Sequence, residues 1–409
     1  MASFGGDPVN EAQMPVSSSS TSNGEEKFLE PQIHHGRKPY RDVGGVVRKY
    51  PALVTHLPIY SWAWFLMPQT TLGLSNLLYT QHTTRNFDGL YTIGLIVYFV
   101  GFVQFWVLVI LKTMQFIIIK GTLRQSFVKP EEALFSAAFW ISCYGVIVGA
   151  LDFAEPSPGS RLSVALYSFF WIYSGFAFCA SAGIHMLLFD KENLEGDKMT
   201  PAWLLPILPV ILIGVLAGSF SGRIWPWQMY PALIAGLMAA GAGFFYSLLI
   251  SAIYLARLFT KGLPVPDTRP GMMLAVGPPC FAPLAFLKLA AGVPIGYGYF
   301  EKHALGAEIV QTIALTFAMP MFGLGCIFLT VAICAILQKA RSMSFHLTWY
   351  GIVFPNVGVL SVLSLIAKQI PSDPLIWVFT AGTGILVIIW LFVTCSHLQA
   401  IWKHSEYLW

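Results

Sequence analysis

An all-α membrane protein with ten transmembrane helices is the fold class predicted here. Three observations predict it: ten long apolar stretches, a one-sided distribution of basic residues, and the placement of proline. The chain of 409 residues is 56% hydrophobic and 11% charged, whereas a soluble chain carries about 25% charged residues. Spans of roughly 20 apolar residues, the length that crosses a bilayer, account for the difference. They fall at about 60–80, 89–111, 132–151, 162–189, 202–220, 229–256, 271–292, 307–337, 344–366 and 375–396.

The segment 1–45 is polar, with the run Ser17–Ser20 and the acids Glu25, Glu26 and Glu30. It has neither the apolar core of a signal peptide nor the Arg-rich helix of a presequence, and reads as a disordered cytosolic tail. Residues 52–397 form the membrane domain and 398–409 a short cytosolic C-terminal tail. With the N-terminus in the cytosol, the tails and loops on that side hold 18 Lys and Arg. The other side holds only Arg85, Arg161, Arg223, Lys302 and Lys368. That asymmetry sets the topology, with both termini cytosolic. It also accounts for the net charge of +4 without nucleic-acid binding. Cys143, Cys179, Cys280, Cys326, Cys334 and Cys395 all lie inside spans, so no loop disulfide and no CxxC metal site is expected.

Prolines divide the spans into two classes. Span one carries Pro68, span five Pro206 and Pro209, span seven Pro278, Pro279 and Pro283, and span nine Pro355; among even spans only the eighth has a mid-helix proline, Pro320. A proline inside a helix frees a backbone carbonyl, a defect tolerated in a membrane only where it is buried in protein or faces water. Kinked odd helices are therefore expected around a pathway, braced by straighter even helices.

The expected path has no acid. All 20 Asp and Glu fall in tails, loops or span ends, with Glu131, Glu132 and Glu308 nearest the membrane. A permeating cation would meet no carboxylate, so anions or neutral solutes are favoured. Lys288 is the one basic residue well inside a span. It lies about 26 Å along span seven at 1.5 Å per residue, where it either snorkels to the interface or lines the anion path. Span one is polar at mid-depth, with Gln69, Thr71 and Asn76 beside Pro68, a candidate donor set. Phe354, next to Pro355, is either a packed core ring or a plug. His185 and His346 are candidate proton relays or helix–helix partners. As haem ligands they would make a membrane-embedded redox enzyme, a reading disfavoured because no repeated histidine pairing is present. Neither a cofactor nor a metal is expected, and the chain is read as no enzyme.

The stretch Arg269-Pro270-Gly271-Met272-Met273-Leu274-Ala275-Val276-Gly277-Pro278-Pro279-Cys280-Phe281 resembles span seven of fungal malic acid permeases. Those belong to the tellurite-resistance/dicarboxylate transporter family, which includes the plant slow anion channels. Gly89-Leu90-Tyr91-Thr92-Ile93-Gly94, Leu204-Leu205-Pro206-Ile207-Leu208-Pro209-Val210 and Phe354-Pro355 are similar in kind, and the likeness spans residues 52–400. It implies five helical hairpins in quasi-fivefold arrangement around a central pore lined by odd helices, gated by Phe354, with Arg85 and Arg269 as charge attractors at the mouths. It further implies a homo-oligomer, a trimer in relatives, in the plasma membrane, moving C4-dicarboxylates with malate first. Sulfite or another inorganic anion is the alternative cargo. Span one departs from the family's Thr-Gly-Gly-like element, reading Gln69-Thr70-Thr71-Leu72-Gly73.

Overall fold

The computed structural model describes Leu57 and residues 60–190, 199–303 and 305–403; the expected N-terminal tail lies outside them. The described residues are helical, with no strands. The principal helices are α1 (Leu66–Thr84), α2 (Leu90–Ile118), α3 (Ala137–Ala154), α4 (Arg161–Phe189), α5 (Leu208–Ser219), α6 (Pro226–Lys261), α7 (Gly277–Ala291), α8 (Gly306–Leu337), α9 (Val353–Gln369) and α10 (Asp373–Lys403).

Eight helical segments are long and apolar enough to cross a membrane. The other two expected spans are not. Helix α5 has only 12 residues, and α1 is diluted by Gln69, Thr70, Thr71, Ser75 and Asn76. Both still lie in the interior: every residue of α5 is buried, as is most of α1.

Burial separates the helices by parity. The segments ending in α3, α7 and α9 are 61%, 89% and 78% buried over their apolar stretches, whereas α2, α4, α6, α8 and α10 are 22–33% buried. Each even helix buries one stripe and gives the rest of its apolar surface to the surroundings. In α2 the buried stripe is Leu90, Gly94, Tyr98, Gly101, Phe105 and Leu108, the three-and-four spacing of one helix face. Small residues such as Ala314, Ala318, Gly325 and Ala332 make the buried stripe of α8 and let backbones approach closely.

Consecutive helices pair as α1–α2, α3–α4, α5–α6, α7–α8 and α9–α10. The odd helices also touch in a closed circuit: α1 on α3, α3 on α5, α5 on α7, α7 on α9, and α9 back on α1.

The prolines act somewhat differently from the mid-helix kinks expected. Odd helices are preceded by a tighter 3₁₀ segment, at Trp62–Phe65, Pro201–Leu204, Pro266–Val276 and Leu347–Ile352; α3 instead follows a short helix, Pro130–Phe135. Pro68, Pro209, Pro278, Pro279 and Pro355 then sit in the first turn of the α-helix that follows. There the missing N–H costs no internal hydrogen bond, and the ring fixes the helical φ. These prolines restart a helix after a break. Pro283 and Pro320 do lie inside helices. So does Pro231, because α6 begins at Pro226, which gives the even helices a second internal proline.

Two boundaries move. Helix α2 continues to Ile118, so Lys112 lies within a spanning helix rather than in a loop. It is buried, its ammonium donating to the Tyr60 carbonyl at 2.8 Å and lying 4.9 Å from the Trp62 ring centroid. Helix α10 continues to Lys403 and buries His397, whose Nδ1 is 2.9 Å from the Tyr350 hydroxyl.

Candidate functional site: a cavity inside the odd-helix circuit

Four of the five odd helices each offer one face to a common cavity. The lining is Gly73, Asn76 and Thr80 from α1; Tyr144, Val148 and Asp152 from α3; Phe281, Leu284 and Lys288 from α7; and Phe354, Val357, Ser361 and Leu365 from α9. Steps of three and four along each helix keep these side chains on one face. The free volume is about 50 Å³, room for a few waters.

The end nearer the helix N-termini is aromatic. Phe354 and Phe281 stack with centroids 4.8 Å apart and planes 22° apart, and both are buried. Glycine makes the room. A Cβ on Gly73 would lie 2.9 Å from the Phe354 ring, and one on Gly358 would lie 2.9 Å from the Phe281 ring.

The opposite end is charged. Lys288 Nζ donates to Ser219 Oγ at 2.9 Å. Arg223, in the loop after α5, donates through Nη1 to Asp152 Oδ1 at 3.1 Å and to the Ser219 carbonyl at 2.9 Å. Ser219 thus ties the two cations to one helix terminus. Nearby, the Tyr79 hydroxyl donates to Glu155. Between the two ends, Asn76 Oδ1 is buried without a hydrogen-bond partner among the described residues.

Asp152 overturns the expectation that no carboxylate lines the path. It belongs to α3, which runs to Ala154 rather than stopping at 151, and it is buried. Its spacing of four residues from Val148 and eight from Tyr144 was the available signal, hidden by placing the span end one residue short.

Of the expected site residues, the fold brings Asn76, Lys288 and Phe354 to the cavity. The others have different settings. Gln69 is buried away from it, with Oε1 unpartnered among the described residues. Thr71 donates to the Met67 carbonyl at 3.0 Å and accepts from Trp390 Nε1 at 3.3 Å, joining α1 to α10. Arg85 stacks its guanidinium 3.5 Å from the Trp377 ring centroid. Arg269 is buried and donates to the Ala335 carbonyl at 2.8 Å and the Pro264 carbonyl at 3.1 Å, so it closes the end of α8 rather than standing open at a mouth. His185 hydrogen-bonds the Ser181 carbonyl at 2.8 Å and packs edge-on against Tyr246. His346 accepts from the Thr348 N–H at 3.3 Å and caps the 3₁₀ segment before α9. Neither histidine lines the cavity. Phe281, Asp152, Tyr144, Thr80 and Ser361 are the aromatic, charged and polar lining residues that sequence reasoning did not assign.

A cation above an aromatic closure, with hydroxyls and an amide between, can hold an anion and block its passage. Comparison with known proteins points the same way: residues 60–398 match the sequence profile described as SLAC1, voltage-dependent anion channel. The chain belongs to the SLAC1 voltage-dependent anion channel family. It is a multi-pass membrane protein of a transporter and channel family, not an enzyme. The chain is 29% identical over 327 residues to a malic acid transport protein of Schizosaccharomyces pombe, covering 78% of this chain and 74% of that one. It is 25% identical over 354 residues to a putative malic acid transport protein of the same yeast, covering 86% and 81%. A sulfite efflux pump of Arthroderma benhamiae is 20% identical over 335 residues, covering 81% and 88%. Within the SLAC1 family, then, relatives of this chain are named for both an organic and an inorganic anion.

Proposed function

We propose that this protein carries C4-dicarboxylate anions, malate first and succinate or fumarate beside it, across the plasma membrane, with both termini in the cytosol. The ten helices act as five hairpins in quasi-fivefold arrangement, and the cavity inside the odd-helix circuit is a closed section of an electropositive central pore. Lys288 attracts a carboxylate, Asn76, Thr80 and Ser361 offer polar contacts along the way, and Phe354, backed by Phe281, is the gate. A homo-oligomer, a trimer as in relatives, surrounds no shared pore; each subunit has its own.

The observation that carries this reading is the juxtaposition, in one buried cavity, of the Lys288 ammonium and the stacked Phe354 and Phe281 rings. The likeness to malic acid transport proteins supplies the cargo class. Sulfite is the second reading, favoured by the likeness to sulfite efflux pumps.

Uptake of labelled malate into vesicles holding the purified protein separates the two. Competition by succinate supports the dicarboxylate reading. Competition by sulfite alone, with little malate flux, moves the chain to inorganic anions. In the same vesicles Lys288→Gln is expected to weaken malate uptake about tenfold or more, the scale of losing one ion pair in a partly desolvated site.

A further inference from the structure

The charged end of the cavity is lined by Lys288 and Asp152, with Arg223 bonded to Asp152 and with Glu155 and Lys368 close enough to act on the same pair, three cations and two carboxylates in all. Asp152 is buried and lines the cavity opposite Lys288. Its Oδ1 accepts from Arg223 at 3.1 Å, while the Lys288 ammonium is held by the neutral Ser219 hydroxyl at 2.9 Å. Arg223 is itself largely covered, with a side chain 18% exposed. Solvent therefore screens these charges poorly, and their sum matters to any anion entering the cavity.

We propose that Asp152 is a specificity-determining residue: by engaging Arg223 it leaves the cavity with one net positive charge, and that count favours singly charged over doubly charged anions. An anion with one charge is matched by the net charge of the site. A second charge on the ligand gains little from an Arg223 already held by a carboxylate, and it is repelled by Asp152 itself. The fixed position of Asp152, at the end of α3 and tied to a loop that is tied to α5, makes the count a property of the fold.

This rests on the proposed function only in taking the cavity as the anion site. The test is anion-dependent thermal stabilisation of the full-length protein in detergent, at one neutral pH, where a ligand that binds the folded state raises the melting temperature by mass action. Succinate and its monomethyl ester form a matched pair of similar shape, doubly and singly charged. Asp152→Asn is expected to shift the ratio of their dissociation constants about tenfold toward succinate, the scale of one unit charge acting over several ångströms. Asp152→Glu keeps the wild-type ratio. Replacing both partners, Asp152→Asn with Arg223→Gln, restores the charge count and with it the ratio. A role confined to folding would leave the ratio unmoved in every variant.

An unchanged ratio in folded Asp152→Asn overturns the inference. Should that variant fail to fold, Arg223→Gln alone removes one positive charge, and the ratio is expected to move about tenfold toward the ester; no movement overturns the inference equally. Stabilisation by sulfite but by neither organic anion would sink the dicarboxylate reading and leave this one standing, with the ratio then read from sulfate against chloride. Stabilisation of the wild type by none of these anions overturns the inference.

Discussion

Phe354 is held by three neighbours of different kinds: the Phe281 ring stacked on it, the missing side chain of Gly73 beneath it, and its own helix behind it. An aromatic pair of this geometry is worth about 0.5–1.5 kcal/mol beyond its burial, and under the proposed function passage must open it. Phe354→Ala is therefore expected to raise anion flux into vesicles, and unchanged or reduced flux at normal expression would count against gating. Gly73→Ala tests the same closure from the other side. Its added methyl lies 2.9 Å from the ring, so the ring must shift, and flux is expected to change without loss of protein. Equal flux in Gly73→Ala and wild type would mean that the ring position does not limit passage.

At the scale of elements, the broken odd helices are the feature to explain. Each 3₁₀ segment ends where a proline opens an α-helix, so the backbone groups at the break need partners that the helix does not supply. The even helices supply some of them: Lys112 of α2 donates to the Tyr60 carbonyl just ahead of the 3₁₀ segment before α1. The support also runs the other way, since Arg269, on the 3₁₀ segment before α7, satisfies the Ala335 carbonyl near the end of α8. Arg269→Ala is expected to lower stability in detergent by about 1–3 kcal/mol, the cost of orphaning buried polar groups, while flux per folded molecule stays near wild type. A sharp loss of flux with unchanged melting would instead restore Arg269 as a charge attractor.

At the scale of the whole molecule, the closed circuit of odd helices leaves the even helices as the outer surface. His185 lies on one of those outer helices, and His346 caps a 3₁₀ segment away from the cavity. His346→Gln is accordingly expected to retain whatever pH dependence uptake shows. Its abolition in vesicles would establish a proton relay through that residue. Much of this architecture was legible beforehand, because length, apolarity and proline register directly as spans and breaks. Span one was legible for a different reason: Gln69, Thr71 and Asn76 flagged it as interior, although only Asn76 reaches the cavity. A helix places neighbours of similar chemistry on different faces, and polarity alone does not say which face looks inward.

By itself the sequence determined the all-helical membrane class, the inner and outer division of the helices, and Lys288 and Phe354 as the residues to watch. It could do so because the bilayer imposes its own length and polarity rules on the chain. Tertiary structure alone decided that Phe281 stacks on Phe354, that Arg269 and Thr71 bind other helices, and that Asp152 sits inside the cavity paired with Arg223. Each of those depends on contacts between residues far apart in the chain. Helix rotation and end points set such contacts, and a single residue at the end of α3 was enough to turn a loop acid into part of the site.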